Sequence, residues 1–291
     1  MNDKPSAQKT GFPCDLCGSD NCAEIEAARH YMGAERLHVC RECGFVYVRR
    51  RRSAQAIADA WSDELYQTSY TARIPAVIAR QTYVAEFIDS EIGLKGKNVC
   101  DIGAGEGMFL DMIRKDQFGA GVFGIEPSTA NGRLMANLGI DHFVGTIEGY
   151  ATSGADRKFD IATIMWTLEN CQSCLGMLRS AADLLVPGGH VAVSTGSRIL
   201  VPFKKPLHYY LCEGDADTHA FRFSANALAR ALALSGFEVV AQNRYIDSDC
   251  LAMIGKKTDS PPRDLPIDDW LIVVEFFDRW HEDTQHFYSG T

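Results

Sequence analysis

The chain has 291 residues, 46% of them hydrophobic and 23% charged, the balance of a folded protein long enough for one large domain or two smaller ones. Its formal net charge of −9 argues against wrapping of nucleic acid, which relies on Lys and Arg to neutralise phosphates; the run Arg49 to Arg52 is the local exception. The opening MNDKPSAQKTGF lacks an apolar stretch of secretory-signal length and no segment reaches the roughly 18 apolar residues of a membrane span, so a cytoplasmic location without membrane association is expected.

The first feature in chain order is a pair of Cys-x-x-Cys turns, GFPCDLCG and HVCRECG. Cys14 and Cys17, then Cys40 and Cys43, give C-x2-C-x22-C-x2-C, because 40 minus 17 leaves 22 residues between. A glycine follows each pair, and two such turns supply four thiolates to a tetrahedral ion. The ten cysteines of a reducing compartment read as metal ligands and buried thiols rather than as disulfides. Structural Zn2+ is expected, since four thiolates leave no open coordination position for catalysis. VCRECGFVYVRR alternates apolar residues as a ribbon strand does. The first 50 residues are read as a zinc-binding ribbon. Cys171 and Cys174 form a third pair without a partner pair, and read as buried thiols near a helix start, with a redox-sensitive pair as the alternative.

Residues 51 to 92 read as a helical linker or lid, with PAVIARQTYVAEFIDSEIGL helical from 75 to 92, Pro75 in its first turn and Gly93 at its end. From 93 to 257 strand and helix alternate. NVCDI leads to a glycine turn and GMFLDMIRKD; GVFGIE leads to STANGRLMANLG; DHFV follows; FDIATIMW leads to CLGMLRSAADLLV and then GGHVAVST. SANALARALALSGFEVVAQNRY reads as helix, glycine cap at Gly236 and strand, and CLAMIGKK as the last strand. This alternation predicts an α/β fold, a Rossmann-like doubly wound sheet preceded by the small ribbon. The tail, 258 to 291, carries DDWLIVVEFFDRWHED, an amphipathic helix that packs on the domain or on a second subunit, so that a homodimer is one option.

VCDIGAGEGMFL carries the chemistry. A strand ends at Asp101, Gly103, Gly105 and Gly107 follow, and a helix begins. Glycines at such a turn let the backbone lie against a ligand. The spacing is G-x-G-x-G rather than the G-x-G-x-x-G of dinucleotide sites, and a carboxylate before it suits an ammonium group better than a pyrophosphate. Glu126 closes the next strand about 20 residues on, where an acidic residue takes ribose hydroxyls. A nucleoside ligand without pyrophosphate follows.

On DIGAGEG, GIEPS, FDIATIMWTLEN and LLVPGGHVAVS, the segment 95 to 257 resembles the class I S-adenosylmethionine-dependent methyltransferases. With the cysteine pairs it is similar to the branch bearing an amino-terminal zinc-binding ribbon, which includes sugar C-methyltransferases, and it is expected to differ from them by the large carboxy-terminal domain those enzymes carry. The resemblance implies S-adenosylmethionine as cofactor. It places the methionine part on Asp101, Gly103, Ala104, Gly105 and Gly107, the ribose on Glu126 with Pro127, and the adenine and cofactor cleft on Thr146, Ile147 and Trp166; Trp166 also reads as a core aromatic.

THAFRFS resembles the branch's segment with a Glu-His pair, so His219 is a catalytic candidate, while Thr218 stands where the carboxylate would be. Capping of the next helix is the structural alternative for His219. ELYQTSY offers Tyr66 and Tyr70, with Tyr70 as the second catalytic candidate and packing as the alternative for both. Glu169-Asn170 replaces the Glu-His that many relatives carry after the fourth strand. Asp215, Asp217 and His219 read as a solvated loop before a metal site. Deprotonating a sugar carbon needs a strong, placed base, and a hydroxyl or amine needs less. The expected function is therefore O- or N-methylation of a small polar substrate, a sugar or nucleotide sugar. RNA methylation and a non-catalytic cofactor-binding module are the alternatives.

Overall fold

The computed structural model describes residues 10–32, 36–60, 74–115, 117–203, 205–211 and 219–288. Its centre is a seven-stranded sheet in the order β12-β13-β10-β9-β6-β7-β8. The strands are β6 (Asn98–Ile102), β7 (Gly121–Glu126), β8 (His142–Val144), β9 (Phe159–Met165), β10 (Leu185–Thr195), β12 (Phe237–Gln242) and β13 (Leu251–Lys257). β8, β7, β6, β9 and β10 are mutually parallel, and β13 runs antiparallel between β10 and β12. Helices α3 (Ile74–Ile92), α4 (Met108–Ile113), α5 (Thr129–Asn137), α6 (Ile147–Thr152), α7 (Cys174–Leu184) and α9 (Ala225–Leu234) flank it. Covered on both faces, the inner strands are apolar almost without a break; all but the first residue of β6 are buried.

The strand order decides where a ligand goes. From β6 the chain steps outward to β7 and β8, then returns to the other side of β6 as β9. Crossovers leaving in opposite directions open a crevice beyond the carboxyl ends of β6 and β9. One expected boundary moves: the stretch read as helix through Val186 ends at Leu184, and Leu185 already pairs with Phe159 in β10. Pro187 lacks an N–H and pushes Val186 out of the helical region, which terminates the helix early.

The amino-terminal cysteine turns accompany a second, four-stranded sheet of order β11-β4-β3-β2, with Cys40 at the end of β3 and Cys43 in the turn between β3 and β4. β2 (Cys22–Glu24), β3 (Leu37–Cys40) and β4 (Val46–Val48) form an antiparallel meander, and β11 (Phe221–Arg222), from after the fifth parallel strand, adds to its edge against β4. The ribbon is thus completed by a segment inserted in the larger domain. Phe45 and Tyr47 of the ribbon join Phe221, Phe223, Phe159 and Ile164 in one buried cluster.

The tail helix α10 (Trp270–Thr284) finds its partner within the chain. Asp269 caps it by accepting the Leu271 N–H at 2.8 Å. Its apolar stripe Val273, Phe277 and Trp280 packs on Ile25, Leu37 and Val39 of the ribbon and on Leu207 and Tyr210 of α8 (Leu207–Tyr210). Among the described residues, no helix is long and apolar enough to cross a membrane.

Candidate functional site

A cavity of about 880 Å³ opens beyond the carboxyl ends of β6, β7, β9 and β10, within the 300–1,000 Å³ typical of small-ligand sites. One end is built by the glycine turn. Asp101 is buried, and its Oδ1 accepts the Thr163 hydroxyl at 2.6 Å. Burial first, with the nearby Glu126 charge adding to it and the Thr163 bond opposing, pushes the Asp101 carboxyl up to about 7. Gly103, at φ 78°, leaves β6 in the left-handed region, and a Cβ there would fall 2.4 Å from Thr167 Oγ1. Only glycine fits that position.

Glu126 ends β7 with both oxygens held: Oε2 accepts the Gly105 N–H and Oε1 the Ser128 N–H, each at 2.9 Å. These bonds favour the charged form, but burial outweighs them and raises the carboxyl above its ordinary value. Two buried carboxylates at adjoining strand ends, each pushed toward its neutral form, make a site that gains from a cation and from hydroxyl donors. That chemistry fits the ammonium and ribose of S-adenosylmethionine.

The remaining expected cofactor residues fall around the same space. Ala104, Gly105, Pro127, Thr146, Ile147 and Trp166 all line the cavity. Thr146 caps α6 through its hydroxyl, which accepts the Gly149 N–H at 3.2 Å, and so holds the backbone turn beside Ile147. Trp166 directly follows β9 at φ 53°, donating its N–H to Ser194 O at 2.7 Å. A bulky residue in that region is strained by about 1–3 kcal/mol, a cost met most often at ligand sites. Gly107 is placed differently. At φ 80° it begins α4, and a Cβ there would lie 2.7 Å from Met135 Cγ, so it shapes the turn and does not line the cavity.

The other end of the cavity is polar and comes from distant segments: Glu169 and Asn170 after β9, Arg198 after β10, Tyr210 of α8, and His219 before β11. His219 Nδ1 and Ser197 Oγ are hydrogen-bonded, and Arg222 donates to the His219 carbonyl. His219 does not cap α9; Ser224 does, accepting the Ala227 N–H at 2.9 Å. Tyr66, Tyr70, Thr218, Asp215 and Asp217 lie outside the described residues. Arg198, Tyr210 and Glu169 complete this end, and no local motif marks the first two.

The Sγ atoms of Cys14, Cys17, Cys40 and Cys43 lie within 4.8 Å of one another, the one such cluster of metal-ligating groups among the described residues. Cys14 and Cys43 are 3.6 Å apart and Cys17 and Cys40 3.4 Å, spacings that a tetrahedral ion with sulfur at about 2.3 Å allows. Four crowded thiols cannot all ionise unaided: contacts with Cys40 and Cys43 push Cys14 far up, while Cys40 is drawn down. Cys171 and Cys174 are buried, which raises both thiols well above their ordinary value, and Cys171 donates to Leu168 O at 3.2 Å. They are packing thiols by that measure.

Arg51 ties ribbon to cavity. It pairs with Asp15 at 2.8 Å, both side chains under 10% exposed, lies over the Phe12 and Phe221 rings, and donates to Gln172 O at 2.6 Å. Arg49 pairs with Asp20 at 2.6 Å. Two of the four consecutive arginines therefore serve contacts inside the protein.

The family model described as "Methyltransferase domain" matches residues 77–242. Among curated proteins, the ubiquinone biosynthesis O-methyltransferase of Vibrio parahaemolyticus serotype O3:K6 is 37% identical over 126 residues, 41% of this chain and 51% of that protein. The chain spans about half the length of the curated relatives it matches. Among solved structures, the Burkholderia thailandensis 1,6-didemethyltoxoflavin N1-methyltransferase with bound S-adenosylhomocysteine shares the fold at TM-score 0.54 and 15% identity, over 78% of this chain and 97% of that one. An amino pentose methyltransferase of Micromonospora echinaspora, involved in calicheamicin biosynthesis and bound to S-adenosylmethionine, matches at TM-score 0.50 and 16% identity, over 67% and 97%. With the family model covering more than half of the chain and the glycine turn at the switch point of the sheet, the chain belongs to the class I S-adenosylmethionine-dependent methyltransferases.

Proposed function

We propose that the protein transfers a methyl group from S-adenosylmethionine to a hydroxyl or amine of a small polar substrate, a sugar or nucleotide sugar. One observation carries this reading: a single cavity joins the buried carboxylates Asp101 and Glu126 to a polar end bearing Glu169, Arg198, Tyr210 and His219. When bound, the cofactor supplies an electrophilic methyl group on a sulfonium. The chain's part is to hold it, to orient the acceptor and to remove a proton. Asp101 and the turn at Gly103, Ala104 and Gly105 receive the methionine ammonium and carboxylate, and Glu126 with Pro127 receives the ribose. Thr146, Ile147 and Trp166 border the adenine. His219, steadied by Ser197, faces the acceptor. The curated relatives' O-methyltransferase names favour transfer to oxygen.

Cys14, Cys17, Cys40 and Cys43 hold structural Zn2+ in this reading, and the ribbon serves as a wall and docking module rather than as chemistry. Residues 1–50, 51–92, 93–257 and 258–291 serve respectively as ribbon, linker or lid, cofactor domain and helical tail. Acidic overall charge and the internal pairing of Arg49 and Arg51 weigh against RNA as substrate. The test is incubation of methyl-labelled cofactor with nucleotide sugars, small hydroxylated and aminated metabolites, and bulk RNA. Label in a small polar acceptor is expected; label in RNA alone sinks the proposal.

A further inference from the structure

Glu169 sits in the short 3-10 turn Leu168–Asn170 that follows β9. Its neighbour Asn170 donates through Nδ2 to Trp166 O at 3.0 Å, while its own Oδ1, an acceptor that is not a base, is buried without a donor among the described residues. Glu169 is 1% exposed yet borders the cavity, and its Oε2 accepts no hydrogen bond from any described residue. Buried polar atoms are almost always paired, and leaving one unpaired costs about 1–3 kcal/mol. The groups nearby do not relieve it: the Tyr210 hydroxyl donates to Arg198 O at 3.0 Å, and His219 Nδ1 is engaged with Ser197. A buried carboxylate oxygen without a donor, on a residue that lines a substrate-sized cavity, calls for a donor that arrives with the substrate.

We propose that Glu169 is a catalytic residue that accepts the proton of the substrate's nucleophile through Oε2, with His219 beside it to stabilise the charge. It thereby supplies the carboxylate that Thr218 does not. This rests on the methyl-transfer reading above. In the step, the substrate's O–H bond breaks and its proton passes to Oε2. The oxygen electron pair forms the bond to the methyl carbon, and the electron pair of the breaking carbon–sulfur bond stays on sulfur. A cationic sulfonium, a neutral alcohol and a carboxylate become a neutral thioether, an ether and a carboxylic acid, so atoms and charge balance.

The surroundings suit that role. Burial raises the Glu169 carboxyl, while the His219 charge, the Thr195 hydroxyl and the Gly196 N–H pull it back. Arg198, Arg222 and Tyr210 share this electrostatic neighbourhood with Glu169, as does the Cys171 thiol. A base poised above the ordinary carboxylate range takes a hydroxyl proton better than an exposed glutamate would.

The test uses the full chain, labelled S-adenosylmethionine, and three acceptor probes: UDP-glucose, glucosamine and 3,4-dihydroxybenzoate. For whichever accepts label, Glu169→Gln is expected to lower kcat about 100-fold or more, with KM and the S-adenosylhomocysteine Kd each within about threefold of wild type. Glu169→Asp is expected to recover part of the rate, and the rise of rate with pH expected of the wild type should vanish in the glutamine variant. A glutamine variant with kcat within about threefold of wild type, or with cofactor affinity falling in step with rate, overturns the assignment. If no probe accepts label, the proposed function fails for these classes, and Glu169 is read without an acceptor. Dicyclohexylcarbodiimide, which modifies protonated carboxyls in apolar clefts, should label Glu169 in the folded chain, as mapped by mass spectrometry. An unlabelled Glu169 contradicts a cavity-facing carboxyl and overturns the assignment as well.

Discussion

Burial works against a negative charge on Asp101, and a bound cation would reverse that penalty. With its carboxyl raised from the ordinary 3.8 to about 7, the empty folded protein binds this proton more tightly than the unfolded chain. The resulting stability is present in full below pH about 4 and is lost as pH rises through 7. In the proposed site an ammonium at the same place would favour the ionised form, so cofactor binding should expel the proton. S-Adenosylhomocysteine affinity should weaken as pH falls below 7, approaching tenfold per unit. Calorimetry at pH 6.5 in two buffers of different ionisation enthalpy should show proton release. Glu126→Gln should weaken the same affinity about 10- to 100-fold, the value of hydrogen bonds to one charged group. Both residues were legible in the sequence because a strand end, a glycine turn and the next strand end are local patterns. Arg198 and Tyr210 were not, since each reaches the cavity only when β10 and α8 are packed by the ribbon and tail.

At the scale of elements, the ribbon is anchored by β11 and by Arg51. Sequence periodicity marked both cysteine turns and all strands of the parallel sheet, yet it left β11 unseen, since the two residues Phe221–Arg222 carry no alternation that a reader could count. Arg51 stood in what read as a basic run, and only folding sets it against Asp15 and the Gln172 carbonyl. Removing one member of a buried ion pair leaves the other uncompensated, at a cost of about 3–5 kcal/mol. Arg51→Ala should therefore lower the urea midpoint strongly. Asp15→Leu combined with Arg51→Met, which removes both charges and keeps volume, should recover most of that loss. A double variant as unstable as the single one would show that the bond to Gln172, rather than the ion pair, holds the ribbon in place.

Across the whole molecule, ribbon, sheet and tail share buried surface. Cys14, Cys40 and Cys43 belong to the same buried cluster as Phe159, Ile164 and Met253 of the central sheet, and α10 closes the far face of the ribbon. Losing the ion proposed for the four-cysteine site should therefore be felt beyond the amino terminus. Cys14→Ser should abolish zinc in atomic absorption, lower Tm and weaken cofactor binding together, in one thermal transition rather than two. The sequence alone suggested a module that stands apart; the shared core comes from contacts between residues more than 100 positions distant, such as Phe45 with Phe221, which no local pattern encodes. The central claim is the cofactor site at the ends of β6 and β7, and titration calorimetry with S-adenosylhomocysteine at pH 8 tests it most directly. One molecule bound per chain, with binding lost in Gly103→Ala and weakened in Glu126→Gln, is the predicted result; no heat and no thermal shift with millimolar ligand would contradict it.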